Sequence, residues 1–284
     1  MRTDKILDCS IQEVIDLMES IYRIDLSVFS ETFLVKSIIN RCHFAGLMRV
    51  SDYIIFLENN PTEALALQQS LLITYTDFYR DTLAFELFEQ KILPELARAK
   101  KTSAEIRIWS AGCSSGQEPY SIAMAMENFI ALNAKPVRYR IIATDISDEE
   151  LEIAKTGAFL ENSIQNIRLK QLNAFFEKRG NAYLISPRLK EKISFSKYDI
   201  LDKHSGSPKE SIFGEFDVIF CKNSLIYYNE DCQKFILDKL TSALSADGYL
   251  IIGEAERHLL VSKKEVKDVA IASMFFKKRR GVCL

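Results

Sequence analysis

The 284-residue chain carries only three histidines, ten glycines, six prolines and one tryptophan, and its six cysteines form no Cys-x-x-Cys pair. So few imidazoles and such scattered thiols exclude the usual zinc arrangements, and no metal is expected. Cysteines 9, 42, 113, 221, 232 and 283 read as reduced, buried or incidental thiols of a cytoplasmic protein. No apolar window reaches the roughly 20 residues that cross a bilayer, so no membrane insertion is expected. The first ten residues mix Arg2, Asp4, Lys5 and Asp8, unlike a signal peptide. Charge of one sign is missing too. Lys plus Arg (37) nearly balances Asp plus Glu (39), and the net charge of −2 gives no global pull toward nucleic acid or anionic lipid. No basic face is interleaved with aromatics, which argues against a nucleic-acid partner. The one basic run, Lys277-Lys278-Arg279-Arg280, reads as a solvated terminus. Neither Gly-x-Gly-x-x-Gly nor a Gly-Lys-Ser/Thr loop occurs, which removes the dinucleotide fingerprint and the nucleotide-triphosphatase loop.

What is present divides in two. From residue 10 to about 72, apolar residues recur three or four apart in IQEVIDLMESIYRI, SETFLVKSIINRCHFAGL, VSDYIIFLENN and PTEALALQQSLLI. Four short helices follow from that spacing. Ser51-Asp52 reads as a cap, and Pro61-Thr62-Glu63 as a first helical turn. From residue 105 the texture alternates. IRIWSA, YRIIATD, ISFSKYDI, FDVIFCKN and GYLIIGEAE read as strands; EPYSIAMAMENFIAL, SDEELEIAKTG, IRLKQLNAFFEKRG and DCQKFILDKLTSAL read as helices. This rhythm predicts an α/β fold, a doubly wound and mostly parallel sheet. The expected division is an all-α domain over 1–75 and an α/β domain over 76–284. A small antiparallel insertion is expected around 181–197, where NAYLISPRLKEKISFS breaks the rhythm, and SMFFKKR is expected to add an antiparallel strand at or near an edge.

The densest signal is IRIWSAGCSSGQEPYS (106–121), an apolar run ending in a Gly/Ser turn that opens into a helix. Gly112 and Gly116 let backbone approach a ligand, and Glu118 follows at the helix start. A carboxylate there repels pyrophosphate and attracts an ammonium or sulfonium group, which favours S-adenosylmethionine over NAD or ATP. In an open α/β sheet, ligands bind beyond the carboxyl ends of the strands. Asp145 ends the second strand and suits two ribose hydroxyls, with helix capping as the alternative that Ser147 can fill by itself. Asp199 is either an acceptor for an adenine amino group, with Ile200 against the ring, or a plain turn residue. Asn223 is either a donor and acceptor on the cleft floor or a satisfied turn residue.

The linked set TDFYRDTLAFELFEQKILPEL (76–96), IRIWSAGCSSGQEPYSIAM (106–124), ATDIS (143–147), FDVIFCKNSLIYYNEDCQKFIL (216–237) and DGYLIIGEAE (247–256) resembles the CheR-type chemotaxis receptor methyltransferases. The likeness extends over nearly the whole chain. It implies a Rossmann-like methyltransferase domain that moves methyl from S-adenosylmethionine to receptor glutamates, leaving S-adenosylhomocysteine. By position it implies that Thr74, Thr76 and Arg80 reach over the cofactor. Glu118 then takes the methionine end, Asp145 the ribose, Asp199 and Ile200 the adenine region, and Lys222 and Asn223 the cleft floor. Arg80 and Tyr227 match the positions nearest the transferred methyl.

The resemblance has departures. Lys222-Asn223 stands where the family usually has Arg-Asn, Gln117 replaces an acid, Thr74 replaces a common Asn, and Gly253-Glu254-Ala255-Glu256 keeps the ends of Gly-His-Ser-Glu. The second helix, arginine-rich in receptor-modifying relatives, offers Lys36, Arg41 and His43. The expected partner is the cytoplasmic region of transmembrane chemoreceptors, met by a monomer. The competing readings are a carboxyl methyltransferase of another signalling protein and a non-catalytic S-adenosylmethionine sensor or scaffold.

Overall fold

A computed structural model of the chain describes residues 2–100, 104–133, 137–211, 214–270 and 273–279, with residues 2–9 as backbone. Two compact units emerge. The first is Met1–Ile73 together with Ile226–Lys234, and the second is Thr74–Leu225 with Phe235–Leu284. The sequence put the boundary at 75/76 and assigned the 226–234 segment to the α/β domain.

The first unit packs α1 (Arg2–Tyr22), α2 (Glu31–Phe44), α3 (Val50–Glu58) and α4 (Pro61–Ser70). Ile11, Val14 and Met18 of α1 are buried with Leu34, Ile38, Tyr53, Leu57 and Leu67, one apolar stripe per helix. Pro61 opens α4 and the Asn60 side chain caps it, accepting from the Glu63 N–H at 3.2 Å. Ser51 and Asp52 do not cap α3. Arg49 is its N-cap residue, and Asp52 lies in the first turn, where the Arg49 guanidinium holds it. The late segment joins this unit through main chain: Phe29 and Tyr228 form an antiparallel bridge, and the Ser30 N–H donates to the Tyr227 carbonyl at 2.8 Å. Phe33 lies against Tyr227 with ring centroids 4.9 Å apart.

The second unit begins with α5 (Thr82–Leu87), a π-helical turn (Phe88–Ile92) and α6 (Leu93–Ala99). There follow β1 (Glu105–Ala111), α7 (Gln117–Asn133), β2 (Arg138–Asp145), α8 (Asp148–Thr156), β3 (Ala158–Leu160), α9 (Leu169–Phe175), β4 (Phe176–Arg179), β5 (Ala182–Ile185), α10 (Pro187–Lys190) and β6 (Ile193–Lys197). Then come β7 (Phe216–Cys221), α11 (Glu230–Ala243), which starts in the first unit, β8 (Leu244–Ile252), α12 (His258–Val261), β9 (Val266–Asp268) and β10 (Phe275–Lys278). Among the described residues the main sheet has seven strands in the order β6-β2-β1-β7-β8-β10-β9. The run from β6 to β8 is parallel, and β10 pairs antiparallel with both β8 and β9. Every residue of β7 is buried, as a central strand covered on both faces requires.

Three expectations are corrected. The helix read through Gly180 stops at Phe175, and Phe176–Arg179 is a strand, because it pairs with Ala182–Ile185. The antiparallel insertion is therefore β3-β5-β4, built from 158–160, 182–185 and 176–179 rather than 181–197. ISFSK belongs to the main sheet, parallel to β2. The strand from SMFFKKR is β10, antiparallel and next to the edge as expected, with the unforeseen β9 outside it. Cys42, Cys113 and Cys221 are buried free thiols and Cys232 is partly exposed; Cys283, Arg280 and the side chain of Cys9 lie outside the described residues. Among the described residues no helix is long and apolar enough to cross a membrane, and no group of His, Cys, Asp and Glu could hold a metal.

Candidate cofactor site

The order β6-β2-β1-β7 places four strand ends side by side. Ala111 pairs with Thr144, Asp145 with Lys197, and Ser110 with Phe220. Asp145 ends β2, and the turns that follow β1, β6 and β7 hold Gly112, Asp199 and Asn223. Gly112 (φ +77°) and Gly116 (φ +95°) are left-handed, and the N–H groups of Gly112 and Cys113 both donate to the Thr144 carbonyl.

Glu118, at the start of α7, is half-buried and accepts from the Ser110 hydroxyl at 2.7 Å. Among the described residues its other oxygen has no recorded donor. Burial raises its pKa, while the positive charges of Lys222 and Arg80 and the Ser110 hydrogen bond oppose that rise. A desolvated carboxylate with an open oxygen is a cation receptor.

Asp145 is laid out for a different task. Its Oδ2 accepts the Ser114 N–H at 2.7 Å and its Oδ1 accepts the Ser147 N–H at 3.0 Å. A carboxylate has roughly four acceptor positions, so two remain for a vicinal diol. Ser147 itself caps α8, accepting the Glu150 N–H at 3.3 Å, which frees Asp145 from that role.

The segment that opens the second unit folds onto this turn. The Ser114 hydroxyl lies 2.6 Å from the Thr74 carbonyl and 3.0 Å from Glu150. Thr74 and Thr76 line an open groove of about 460 Å³ with Asn162, Ser163, Gln165 and Asn166. Arg80 donates to the Tyr75 carbonyl at 3.0 Å and sits over the Tyr75 ring. The Lys222 ammonium does not stand open on a cleft floor. It donates to the Arg80 carbonyl at 3.0 Å and lies 3.6 Å from Asp81, so it anchors the segment that carries Arg80.

Asn223 is left-handed at φ 58°. Its N–H donates to the fully buried Glu256, which also accepts from the N–H groups of Leu225 and Gly253. Asp199 is exposed two residues beyond β6, its carboxylate accepting the Leu201 N–H at 2.9 Å, and Ile200 beside it is partly buried. Tyr227 lies in the first unit, against Phe33. Sequence reasoning missed Ser110 and Ser114 because small hydroxyls carry no spacing signal. Glu256 had one, as the last residue of its block.

Both buried thiols near these acids are held neutral. Burial, then the charges of Asp145 and Glu118, pushes the Cys113 thiol well up, and burial followed by Glu256 and Glu118 does the same to Cys221.

Residues 74–274 match the family model described as "CheR methyltransferase, SAM binding domain". The chain belongs to the CheR methyltransferase family. A chemotaxis protein methyltransferase of Borreliella burgdorferi is 31% identical over 254 residues, covering 87% of this chain and 87% of that one. The chemotaxis protein methyltransferase Cher2 of Pseudomonas putida is 31% identical over 234 residues, covering 80% and 82%. The chemotaxis protein methyltransferase of Escherichia coli K12 is 31% identical over 225 residues, covering 77% and 74%.

The cofactor of this CheR methyltransferase is S-adenosylmethionine, and the residues present fit it. Glu118 offers an open, desolvated carboxylate to a cationic methionine end, and Asp145 keeps two acceptor positions for a ribose. The positively charged Arg80 and Lys222 leave the site mixed rather than purely acidic.

Proposed function

We propose that the protein methylates glutamate side-chain carboxylates of chemoreceptors, giving glutamate methyl esters and S-adenosylhomocysteine. The observation that carries the S-adenosylmethionine part of this reading is Glu118, a desolvated carboxylate whose ionised form is held by Lys222, Ser110 and Arg80 and whose free oxygen suits an ammonium; the likeness to chemotaxis protein methyltransferases supports the acceptor. When bound, S-adenosylmethionine supplies a sulfonium methyl already activated toward an oxygen nucleophile. A carboxylate oxygen held in line would take that methyl, with the bonding electron pair left on sulfur as S-adenosylhomocysteine. No proton moves, because a glutamate is ionised at neutral pH. Alignment is the remaining task. Glu118 holds the methionine end and Asp145 the ribose, with Asp199 and Ile200 at the adenine. Thr74, Thr76 and Asn223 complete the binding wall. Arg80 orients the incoming carboxylate, and Tyr227 is the second residue assigned to acceptor positioning.

One observation favours the reading in which the acceptor is another signalling protein. Arg41, one of the three basic residues of α2, is spent inside the helical unit on Glu63, which leaves Lys36 and His43 exposed. Steering toward an acidic receptor surface is weaker for it.

The test is transfer of tritiated methyl to a set of receptor cytoplasmic fragments, with base-labile counts located by mass spectrometry. Base-labile label on receptor glutamates is the expected result. Label only on other proteins shifts the acceptor, and tight S-adenosylhomocysteine binding without any transfer leaves the sensor or scaffold. Arg80→Ala should lose turnover well beyond its loss of S-adenosylhomocysteine affinity; normal turnover removes Arg80 from the reaction.

A further inference from the structure

Lys239, on α11, is the buried ammonium that the methyl-transfer reading leaves unused. It donates to the Ile200 carbonyl at 2.8 Å, to the Asp202 carbonyl, and to the Tyr198 hydroxyl at 3.3 Å. An ammonium has three protons, and three oxygens take them. Its stem and head lie against the rings of Tyr198 (5.3 Å to the centroid) and Phe235 (4.9 Å). Burial lowers its pKa, and the charges of Asp202 and Asp199 oppose that fall.

All three acceptors belong to one turn. Within it the Asp202 N–H donates to the Asp199 carbonyl at 3.0 Å, and the Leu201 N–H donates to the Asp199 side chain. The turn is tied back to β2 by the Tyr198 N–H, which donates to the Asp145 carbonyl at 3.0 Å, and Tyr198 packs edge-on against Trp109. Asp199 and Ile200 thus stand on a loop gripped from one side by Lys239 and from the other by the strand that ends in Asp145. An apolar residue at 239 would leave two backbone carbonyls without their donor, and the turn would have to move toward water to satisfy them.

We propose that Lys239 is a positioning residue of the cofactor site: its ammonium sets the 198–202 turn so that Asp199 and Ile200 present one fixed surface to the adenine end of S-adenosylmethionine. The proposal rests on the assignment of Asp199 and Ile200 to the adenine.

The experiment is calorimetric titration of the full chain with S-adenosylhomocysteine, for Lys239→Met, Asp199→Ala, Glu118→Gln and the double variants, each first shown to be folded by a thermal melt. Loss of hydrogen bonds from a charged donor predicts affinity about tenfold weaker for Lys239→Met. The Lys239→Met and Asp199→Ala losses should not add, since both act through one turn, whereas those of Lys239→Met and Glu118→Gln should add. Emission from Trp109, the single tryptophan, should change in Lys239→Met because its neighbour Tyr198 is released. Wild-type affinity in Lys239→Met beside a weakened Asp199→Ala overturns the role of Lys239 alone, as do additive losses for that pair. An unaffected Asp199→Ala removes the adenine assignment and this proposal with it. Should Lys239→Met fail to fold, Lys239→Gln, a shorter and neutral amide whose two N–H protons cannot serve all three oxygens, takes its place in the same titrations, and wild-type affinity or additive losses there overturn the role of the ammonium in the same way.

Discussion

The ammonium of Lys222 donates to the backbone carbonyl of Arg80 at 3.0 Å, across 142 positions of sequence. It stands 3.6 Å from Asp81, the left-handed residue (φ 69°) that caps α5, and 5.7 Å from the centre of the Phe85 ring. The end of β7 and the start of α5 are therefore locked together by one cation, and that lock determines where Arg80 begins.

Lys222→Met keeps the apolar stem and removes the charge. A charge-assisted hydrogen bond is worth about 1.5–3 kcal/mol, so urea unfolding should show a loss in that range. Affinity for S-adenosylhomocysteine, read by calorimetry, should fall as well. Unchanged stability would mean that water replaces the ammonium at no cost.

The pH dependence of cofactor binding follows from Glu118. Its folded pKa is raised by burial, so its ionised form destabilises the free fold relative to the protonated one. That stabilising term is present below the unfolded carboxylate range and is lost as pH rises through the raised value. Binding of a cation runs the other way, since it requires the ionised form. Affinity for S-adenosylhomocysteine should therefore drop on acidification at a pH above the ordinary glutamate range. Glu118→Gln should abolish that limb, and Lys222→Met should move it to higher pH, because Lys222 opposes the rise. An identical acid limb in Glu118→Gln assigns it to another group.

The two glycines of the turn should differ. A Cβ on Gly116 would meet the Ala154 Cβ at 2.9 Å and its Cα at 3.2 Å, whereas one on Gly112 would meet the rotatable Ser224 hydroxyl. Both sites are left-handed, which costs an alanine about 1 kcal/mol. Gly116→Ala adds a clash with helix backbone, so its melting temperature should fall further than that of Gly112→Ala. Equal melting points would mean that α8 yields freely.

In the helical unit Glu63 accepts from Arg41 Nε and Nη2, at 2.9 and 2.6 Å, and from the Tyr53 hydroxyl at 2.7 Å. The hydrogen bond to Glu63 raises the Arg41 pKa, and burial followed by Glu63 raises that of Tyr53. Arg41→Met leaves the buried Glu63 with the Tyr53 hydroxyl but without its opposite charge, and breaking such a pair costs about 3–5 kcal/mol. Denaturant unfolding of the full chain checks this; a loss typical of an exposed pair, below about 1 kcal/mol, would show that Glu63 escapes to water.

Periodicity alone located the helices of the first unit and the strands β1, β2, β7 and β8, because a buried face imposes 3.6 or continuous apolar spacing on the sequence. The Gly turn, Glu118 and Asp145 were legible for the same local reason: they sit where a strand turns into a helix. The hairpin of β4 and β5 was not, since LKQLNAFFEKRG has helical propensity throughout and partner pairing alone turns Phe176–Arg179 into a strand. Arg41 read as a surface cation, yet Glu63 is 22 positions away and only packing shows that the two meet.

The sequence by itself determined the helices of the first unit, the strands β1, β2, β7 and β8, the order of the strand-end turns and the carboxylates at them, because these depend on residues within a few positions of one another. The tertiary structure alone decided which groups are spent on one another: Lys222 on Arg80, Glu256 on Asn223, Lys239 on Ile200, Arg41 on Glu63. Each of these pairs spans 22 to 142 positions, and a charge is committed only when folding brings its partner within about 3 Å.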